Sequence, residues 1–191
     1  MIFWAIFGYL LGSVPFGLVI TRALGLGDLR QIGSGNIGAT NVLRTGNKGA
    51  ALATLLLDSG KGAIAVLLAR HFGGETAAVL AGAAAFLGHC FPIWLRFKGG
   101  KGVATFLGTL ISLCWPVGLI ACATWAVTAA VTRISSLSAL LAAALAPAFA
   151  WGLGRPDIAA AAAFMAVLIV IRHHANIRRL LAGTEPRIGR K

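Results

Sequence analysis

Thirty consecutive residues, Val103 to Thr132, carry no Asp, Glu, Lys or Arg. A run of that kind belongs inside a bilayer, because about 20 apolar residues in a helix cover the hydrocarbon core. Five further apolar segments accompany it: Ile2 to Thr21, Ala50 to Leu68, Thr76 to Leu95, Leu137 to Leu153 and Ile158 to Ile171. None shows sustained period-2 alternation, and all are rich in Ala and Leu, so the reading is all-α. The composition agrees: 58% of the 191 residues are hydrophobic and the mean hydropathy is +0.86, against about 45–50% apolar in soluble domains. Ile2 to Thr21 lacks the basic start and small-residue cleavage site of a signal peptide and is expected to remain as a helix, kinked at Pro15.

Seventeen Lys and Arg face five acids, for a net charge of +12. Nucleic-acid-binding proteins are rarely this apolar, so no nucleic-acid partner is expected; in a membrane protein such an excess marks the cytoplasmic side and anionic lipid. Charge also decides how often Val103 to Thr132 crosses. It is long for one span and short for two, with Trp115-Pro116 near its middle as a turn. If it crosses twice, Arg22, Arg30, Arg44, Lys48, Arg96, Lys98, Lys101, Arg133, Arg172, Arg178, Arg179, Arg187, Arg190 and Lys191 share one side. Only Arg70 and Arg155 fall on the other, and Lys61 lies within a helix. A single crossing would put Arg133 and the tail opposite the earlier cations. The expectation is a single membrane-embedded domain over residues 1–191, with about seven transmembrane helices, N-terminus outside and C-terminus cytoplasmic. Ala159 to Ala163 reads as a helix face for close packing. Cys90, Cys114 and Cys122 are odd in number, lie in apolar surroundings and form no CxxC, so they read as packing residues, with no metal or cofactor expected.

Three polar, glycine-rich motifs interrupt the apolar chain. GSGNIGATNVLR (Gly33 to Arg44) matches G-x-G-x-x-G formally but has no preceding strand, which excludes a dinucleotide fold. It reads as an anion-binding loop in which Ser34, Asn36, Thr40 and Asn41 are neutral donors and Arg44 a planar charged fork. FKGGKGVAT (Phe97 to Thr105) is not a Walker A loop, yet it combines flexible backbone, Lys98 and Lys101 with a helix beginning near Val103. HHANIRRLLAGTE (His173 to Glu185) puts His173 and Asn176 on one helical face, with His174 about 100° away. Asp58 and Lys61 form an i, i+3 pair within an apolar span, read either as an internal ion pair or as a direct participant in catalysis. His89 lies close to the Lys-Gly loop, either bonding a neighbouring helix or serving the site.

Taken together and in order, these motifs resemble those of the bacterial acyl-phosphate-dependent glycerol-3-phosphate acyltransferase family. The family's SGNIGATN loop with its arginine, GHxFPxxLxFKGGKGVAT segment and HxxNIxRLLxGTE tail stand here as Ser34 to Asn41 with Arg44, Gly88 to Thr105 and His173 to Glu185. The LLLDxxKG pattern at Leu55 to Gly62 matches as well. The resemblance implies transfer of a fatty acyl group from acyl phosphate to the 1-hydroxyl of sn-glycerol 3-phosphate. The products would be 1-acyl-glycerol 3-phosphate (lysophosphatidic acid) and phosphate. This would be the first step of phospholipid synthesis, carried out in the bacterial cytoplasmic (inner) membrane with the site facing the cytoplasm. The chain lacks the H-x-x-x-x-D motif of thioester-dependent acyltransferases, as the family does.

The implied roles follow the motifs. Ser34, Asn36, Asn41, Arg44, Lys101, His173 and Asn176 would hold glycerol 3-phosphate, and Ser34, Arg44, Lys101, His173 and Asn176 would form the catalytic set. His89, Lys98, Gly99, Gly100, Lys101, Gly102, Val103 and Thr105 would receive acyl phosphate, with backbone amides from Gly100 to Val103 facing developing oxyanion charge. Asp58, Lys61 and Glu185 would support them. The base is either His173 or the departing phosphate itself; the substrate-assisted route is preferred, because an anhydride-activated acyl group needs no strong base. No Ser/His/Asp or Cys/His set is evident, so direct transfer is expected over an acyl-enzyme. The enzyme that forms acyl phosphate is a candidate partner. A transporter for a phosphorylated solute is the alternative; it predicts an inverted repeat and an opposite-side entrance, and neither is apparent.

Overall fold

The computed structural model describes residues 1–189; Arg190 and Lys191, both counted on the cytoplasmic side above, lie outside the described residues. Among the described residues there are helices and no strands. They are α1 (Ile2–Gly12), α2 (Phe16–Ala23), the short α3 (Ala39–Val42), α4 (Lys48–Cys90), α5 (Val103–Leu113), α6 (Trp115–Thr132), α7 (Ser135–Gly152), α8 (Pro156–Arg172) and α9 (His174–Leu181). Four helical stretches are long and apolar enough to cross a membrane: Ile2–Ala23, Lys48–Leu95, Trp115–Thr132 and Ser135–Gly152. The pair α8 and α9 qualifies together but is bent by 64°.

The breaks in these rods have local causes. Pro15 has no N–H to give the helix ladder, so the expected kink becomes a full break between Gly12 and Phe16. The Val14 carbonyl at the break accepts a hydrogen bond from Lys61 Nζ at 3.0 Å. The stretch Lys48–Leu95 is 48 residues long, and a straight helix of that length would rise about 72 Å, more than twice the hydrocarbon core. It folds back at Gly74, whose φ of 82° and ψ of −176° are closed to side chains with a Cβ. The two rods, 48–73 and 75–90, match the two spans read from sequence. Val103 to Thr132 also divides, at Cys114 in extended conformation, with Pro116 in the first turn of α6, where a missing N–H costs nothing. α5 has 11 residues, about 16 Å of rise and so roughly half the hydrocarbon core.

α5 is short because it starts deep. Thr105 Oγ1 donates to the Asp58 carbonyl at 2.8 Å, three turns into α4, so the Lys-Gly loop sits below the bundle end. The far end of α5 meets Arg70, which donates to the carbonyls of Ser112 and Leu113. The charges divide between the two ends of the bundle. At one end, Glu75 pairs with Arg70 at 2.7 Å and Arg155 at 2.6 Å, and Arg155 pairs with Asp157 at 2.9 Å. At the other, the Ile188 amide donates to the Arg133 carbonyl at 2.7 Å, and Ser136 joins Glu185 at 2.7 Å. Arg133 thus lies with the C-terminal motif, and Lys101 Nζ, from the motif before Val103, donates to Asn176 Oδ1 at the same end.

Small residues let the rods touch. Ala143, Ala146 and Ala150 of α7 are buried in one cluster with Ala159, Ala162 and Met165 of α8, which bears out the packing face read at Ala159 to Ala163. A Cβ on Gly12 would overlap the Ala85 carbonyl oxygen, and one on Gly108 would overlap that of Ser59. The outside is apolar instead: Ile2, Phe3, Phe72, Trp115, Val131 and Trp151 are each more than 60% exposed, as a lipid-facing belt requires. Gly12→Leu is therefore expected to lower the unfolding midpoint in detergent, as overpacking costs about 1–3 kcal/mol. Leu10→Ala, on the lipid-facing side, should leave it unchanged.

Candidate active site

The first motif is organised around one buried amide. Asn41, 2% exposed, donates from Nδ2 to the carbonyls of Leu29 at 3.0 Å, Ile32 at 2.9 Å and Asn36 at 2.7 Å. Its Oδ1 accepts from the Ser34 amide at 3.2 Å and from Arg44 Nη1 at 3.2 Å, with Ser34 Oγ at 3.4 Å. Asn41 was expected to touch substrate, but its polar atoms are committed to folding the loop. Its contribution is to hold Ser34 and Arg44 side by side, both exposed at the surface of the motif. The Asn36 carbonyl belongs to the same network, and its side chain is half-buried. Thr40 Oγ1 lies 3.5 Å from Ser135 Oγ, tying the loop to the start of α7.

The Lys-Gly loop is pressed against the end of α4. The Gly99 amide donates to the Cys90 carbonyl and the Gly100 amide to the His89 carbonyl, each at 3.1 Å. Side chains at Gly99 and Gly100 would collide with Pro92 and the His89 ring, and one at Gly102 (φ +81°) with Phe86. Close packing, as well as access for an anion, therefore explains the glycines. The Gly100 amide, expected among the anion donors, is engaged elsewhere. The amides of Lys101, Gly102 and Val103 meet no acceptor among the described residues and stand at the N-terminus of α5. Thr105 is buried with its hydroxyl on α4, so it secures α5 rather than facing the site. Lys98 is exposed on the rim.

The third motif meets the second through side chains. Lys101 Nζ donates to Asn176 Oδ1 at 2.5 Å, and Asn176 Nδ2 to Glu185 Oε1 at 2.5 Å. Glu185 also accepts from Ser136 Oγ at 2.7 Å and Arg179 Nε at 2.6 Å. Burial works against the Glu185 charge, yet bonds from Asn176, Ser136 and Arg179 hold its carboxyl below the usual range. Lys101 is pushed down to about 8, first by burial, with Glu185 opposing and Arg179, Arg172 and Arg44 adding repulsion. The charges of Arg44, from the first motif, and Arg179, from the third, are thus felt at Lys101, from the second. α8 ends at Arg172 and the chain turns into α9, which leaves His173 (3% exposed) and Asn176 (5%) buried together and His174 outside. His173 Nδ1 lies 2.8 Å from the Ile169 carbonyl, a contact that needs N–H there and leaves Nε2 as the acceptor.

Asp58, Lys61 and His89 lie beneath the loop. Lys61 Nζ is 2.8 Å from Asp58 Oδ1, and His89 Nδ1 is 3.7 Å from the same oxygen. Lys61 also reaches the Val14 carbonyl and faces the Phe16 ring at 5.8 Å. Of the two readings open in the sequence, the geometry favours the internal ion pair, which bolts the α1–α2 break to α4. His89 supports Gly100 from below. Two contributors carried too weak a signal in the sequence: Ser136 looked like any polar residue opening a helix, and Arg172 like an ordinary cation ending a span. Among the described residues no group of His, Cys, Asp and Glu could hold a metal ion. Removing one partner of a buried pair leaves an uncompensated charge, worth about 3–5 kcal/mol. Asp58→Ala is therefore expected to cut the fraction of protein that folds, read as loss of the monodisperse peak in detergent, while Asp28→Ala on the exposed loop leaves it intact.

Comparison with known proteins identifies this arrangement. The family model described as glycerol-3-phosphate acyltransferase matches residues 2–183. A glycerol-3-phosphate acyltransferase of Cereibacter sphaeroides is 72% identical over 191 residues, covering 100% of this chain and 95% of the relative. One from Jannaschia sp. is 66% identical over 186 residues, covering 97% of this chain and 92% of the relative. Among solved structures, PlsY (YgiH), an integral membrane glycerol 3-phosphate acyltransferase, superposes in its glycerol 3-phosphate form with a TM-score of 0.93 at 40% identity, over 98% of this chain and 95% of that one. Its lysophosphatidic acid form gives 0.91 at 39% identity, with the same coverage.

Proposed function

The chain belongs to the glycerol-3-phosphate acyltransferase family and is an integral membrane enzyme, and on that premise we propose how its three motifs divide the work. It transfers a fatty acyl group to the 1-hydroxyl of sn-glycerol 3-phosphate, with acyl phosphate as the donor. Residues 1–191 act as one catalytic domain, of seven spans with the N-terminus outside. The site faces the cytoplasm from the inner membrane, where both phosphorylated substrates and the donor-forming enzyme are at hand. The chain of bonds from Lys101 through Asn176 to Glu185 and Arg179, with the charges of Arg44 and Arg172 also felt at Lys101, carries this reading. Two phosphate dianions can meet only in such a field.

Ser34 and Arg44, held by Asn41, take the glycerol phosphate together with His173 and Asn176. The amides of Lys101, Gly102 and Val103 take the acyl phosphate, and Lys101 Nζ stands between the two. The glycerol hydroxyl attacks the acyl carbon, the bond from that carbon to the phosphate oxygen breaks, and the hydroxyl proton leaves on the departing phosphate. Charge building on the acyl oxygen meets donors already oriented by the fold. His173 Nε2 orders the hydroxyl. The acyl chain lies between helices and enters from the bilayer.

Purified protein given palmitoyl phosphate and glycerol 3-phosphate should release phosphate and form lysophosphatidic acid. Silence from folded protein would end the reading, and turnover with palmitoyl-CoA alone would reject the donor. An acyl ester trapped on Ser34 would replace direct transfer. Lys101→Met should cut turnover at least about 100-fold while the protein still runs as a monodisperse peak in detergent. Only the ammonium form of Lys101 attracts a dianion, so kcat/KM for glycerol 3-phosphate should fall as pH rises through about 8. A bound dianion stabilises the ammonium, so kcat should fall at higher pH. Equal inflections in both profiles would count against Lys101.

A further inference from the structure

We propose that Arg172 is a positioning residue for the acyl-donor half of the site, locking the Gly100–Lys101 peptide so that its N–H faces the donor phosphate. The inference rests on the donor assignment above. Arg172 closes α8 and lies half-buried against the Lys-Gly loop. Its Nε donates to the Gly100 carbonyl at 3.0 Å and its Nη2 to the Gly99 carbonyl at 2.6 Å. Its guanidinium carbon stands 5.5 Å from the centre of the Phe91 ring.

In a trans peptide the carbonyl and the following N–H point in opposite directions. The Gly99 carbonyl points to Arg172, and the Gly100 amide accordingly points away, to the His89 carbonyl at 3.1 Å. The Gly100 carbonyl also points to Arg172, so the Lys101 amide points away as well. No described residue accepts from it. It heads the row of amides that continues through Gly102 into the first turn of α5.

A glycine at 100 makes this orientation fragile. Without a Cβ, the peptide can rotate and turn a carbonyl oxygen toward the anion. No stiffer residue can stand there, because a Cβ would overlap His89 Nε2. Rigidity has to come from outside the loop, and Arg172 supplies it with two hydrogen bonds from one planar fork. A lysine at this position reaches one carbonyl at a time.

The test uses full-length Arg172→Lys and Arg172→Gln in detergent. Both KM values, kcat and the affinity for palmitoyl phosphonate, a donor analogue that cannot transfer its acyl group, are measured. Loss of the charged fork should raise the palmitoyl phosphate KM and the phosphonate Kd of Arg172→Gln by about tenfold or more. The glycerol 3-phosphate KM should change less than about threefold. Arg172→Lys should fall between, and Phe91→Leu, which removes the ring behind the guanidinium, should shift the same constants less. Equal rises in both KM values, a fall in kcat alone, or an Arg172→Lys protein that binds phosphonate like wild type would overturn the proposal. The phosphonate measurement does not need turnover. A wild type that binds it but fails to transfer refutes the reaction, while a weaker Arg172→Lys still supports the lock.

Discussion

An ammonium drawn away from water loses solvation, and the bundle offsets that loss by aiming Asn176 Oδ1 at Lys101 Nζ. This bond joins residues 75 apart in sequence, and much of the site's geometry follows from it. It holds α9 over the Lys-Gly loop and passes through Asn176 to Glu185, which gathers Ser136 from α7 and Arg179 from α9. A single carboxylate therefore orients an amide, and the amide orients an ammonium that feels the charge of Arg44. The surrounding cations outnumber that carboxylate, so a positive field is in place before any anion arrives.

The polar interior has a second, neutral layer with a different task. Asp58 and Lys61 cancel one another among apolar rods, and Lys61 spends a further hydrogen bond on the carbonyl exposed by Pro15. Asp58 holds Thr105 through its main chain, and His89 lies under Gly100. These contacts set the depth at which α5 begins. Because α5 starts beside Asp58, inside the bundle, its free amides lie within the helices rather than at their ends. The cationic layer can stay unbalanced because the layer beneath it is balanced.

Much of this was legible in the sequence. The uncharged run from Val103 to Thr132, the break at Pro15 and the small face at Ala159 to Ala163 follow from helix length, a missing N–H and close approach, which are local matters. The lopsided distribution of Lys and Arg anticipated that the second and third motifs would share one end of the bundle, as the bond from Lys101 to Asn176 shows. The motifs named the family, and the comparisons bear it out. Less legible was what each polar atom in a motif does. Asn41 and Thr105 looked like ligands for a substrate and instead serve the fold, while Arg172 looked like one more cation on the charged side and grips two carbonyls.

What the sequence determined by itself is therefore the set of apolar spans, the division of the run from Val103 to Thr132 and the chemistry available at one end of the bundle. These depend on hydrophobicity, backbone freedom and charge, which each residue carries wherever it is placed. Only the tertiary structure decided which amides are free, which side chains are spent on the loop, and how far below the bundle end the second motif lies. Those properties depend on whether a partner from a distant rod comes within about 3 Å. Spacing along a chain does not encode that distance; the packing of α4 against α5 and of α8 against the Lys-Gly loop creates it.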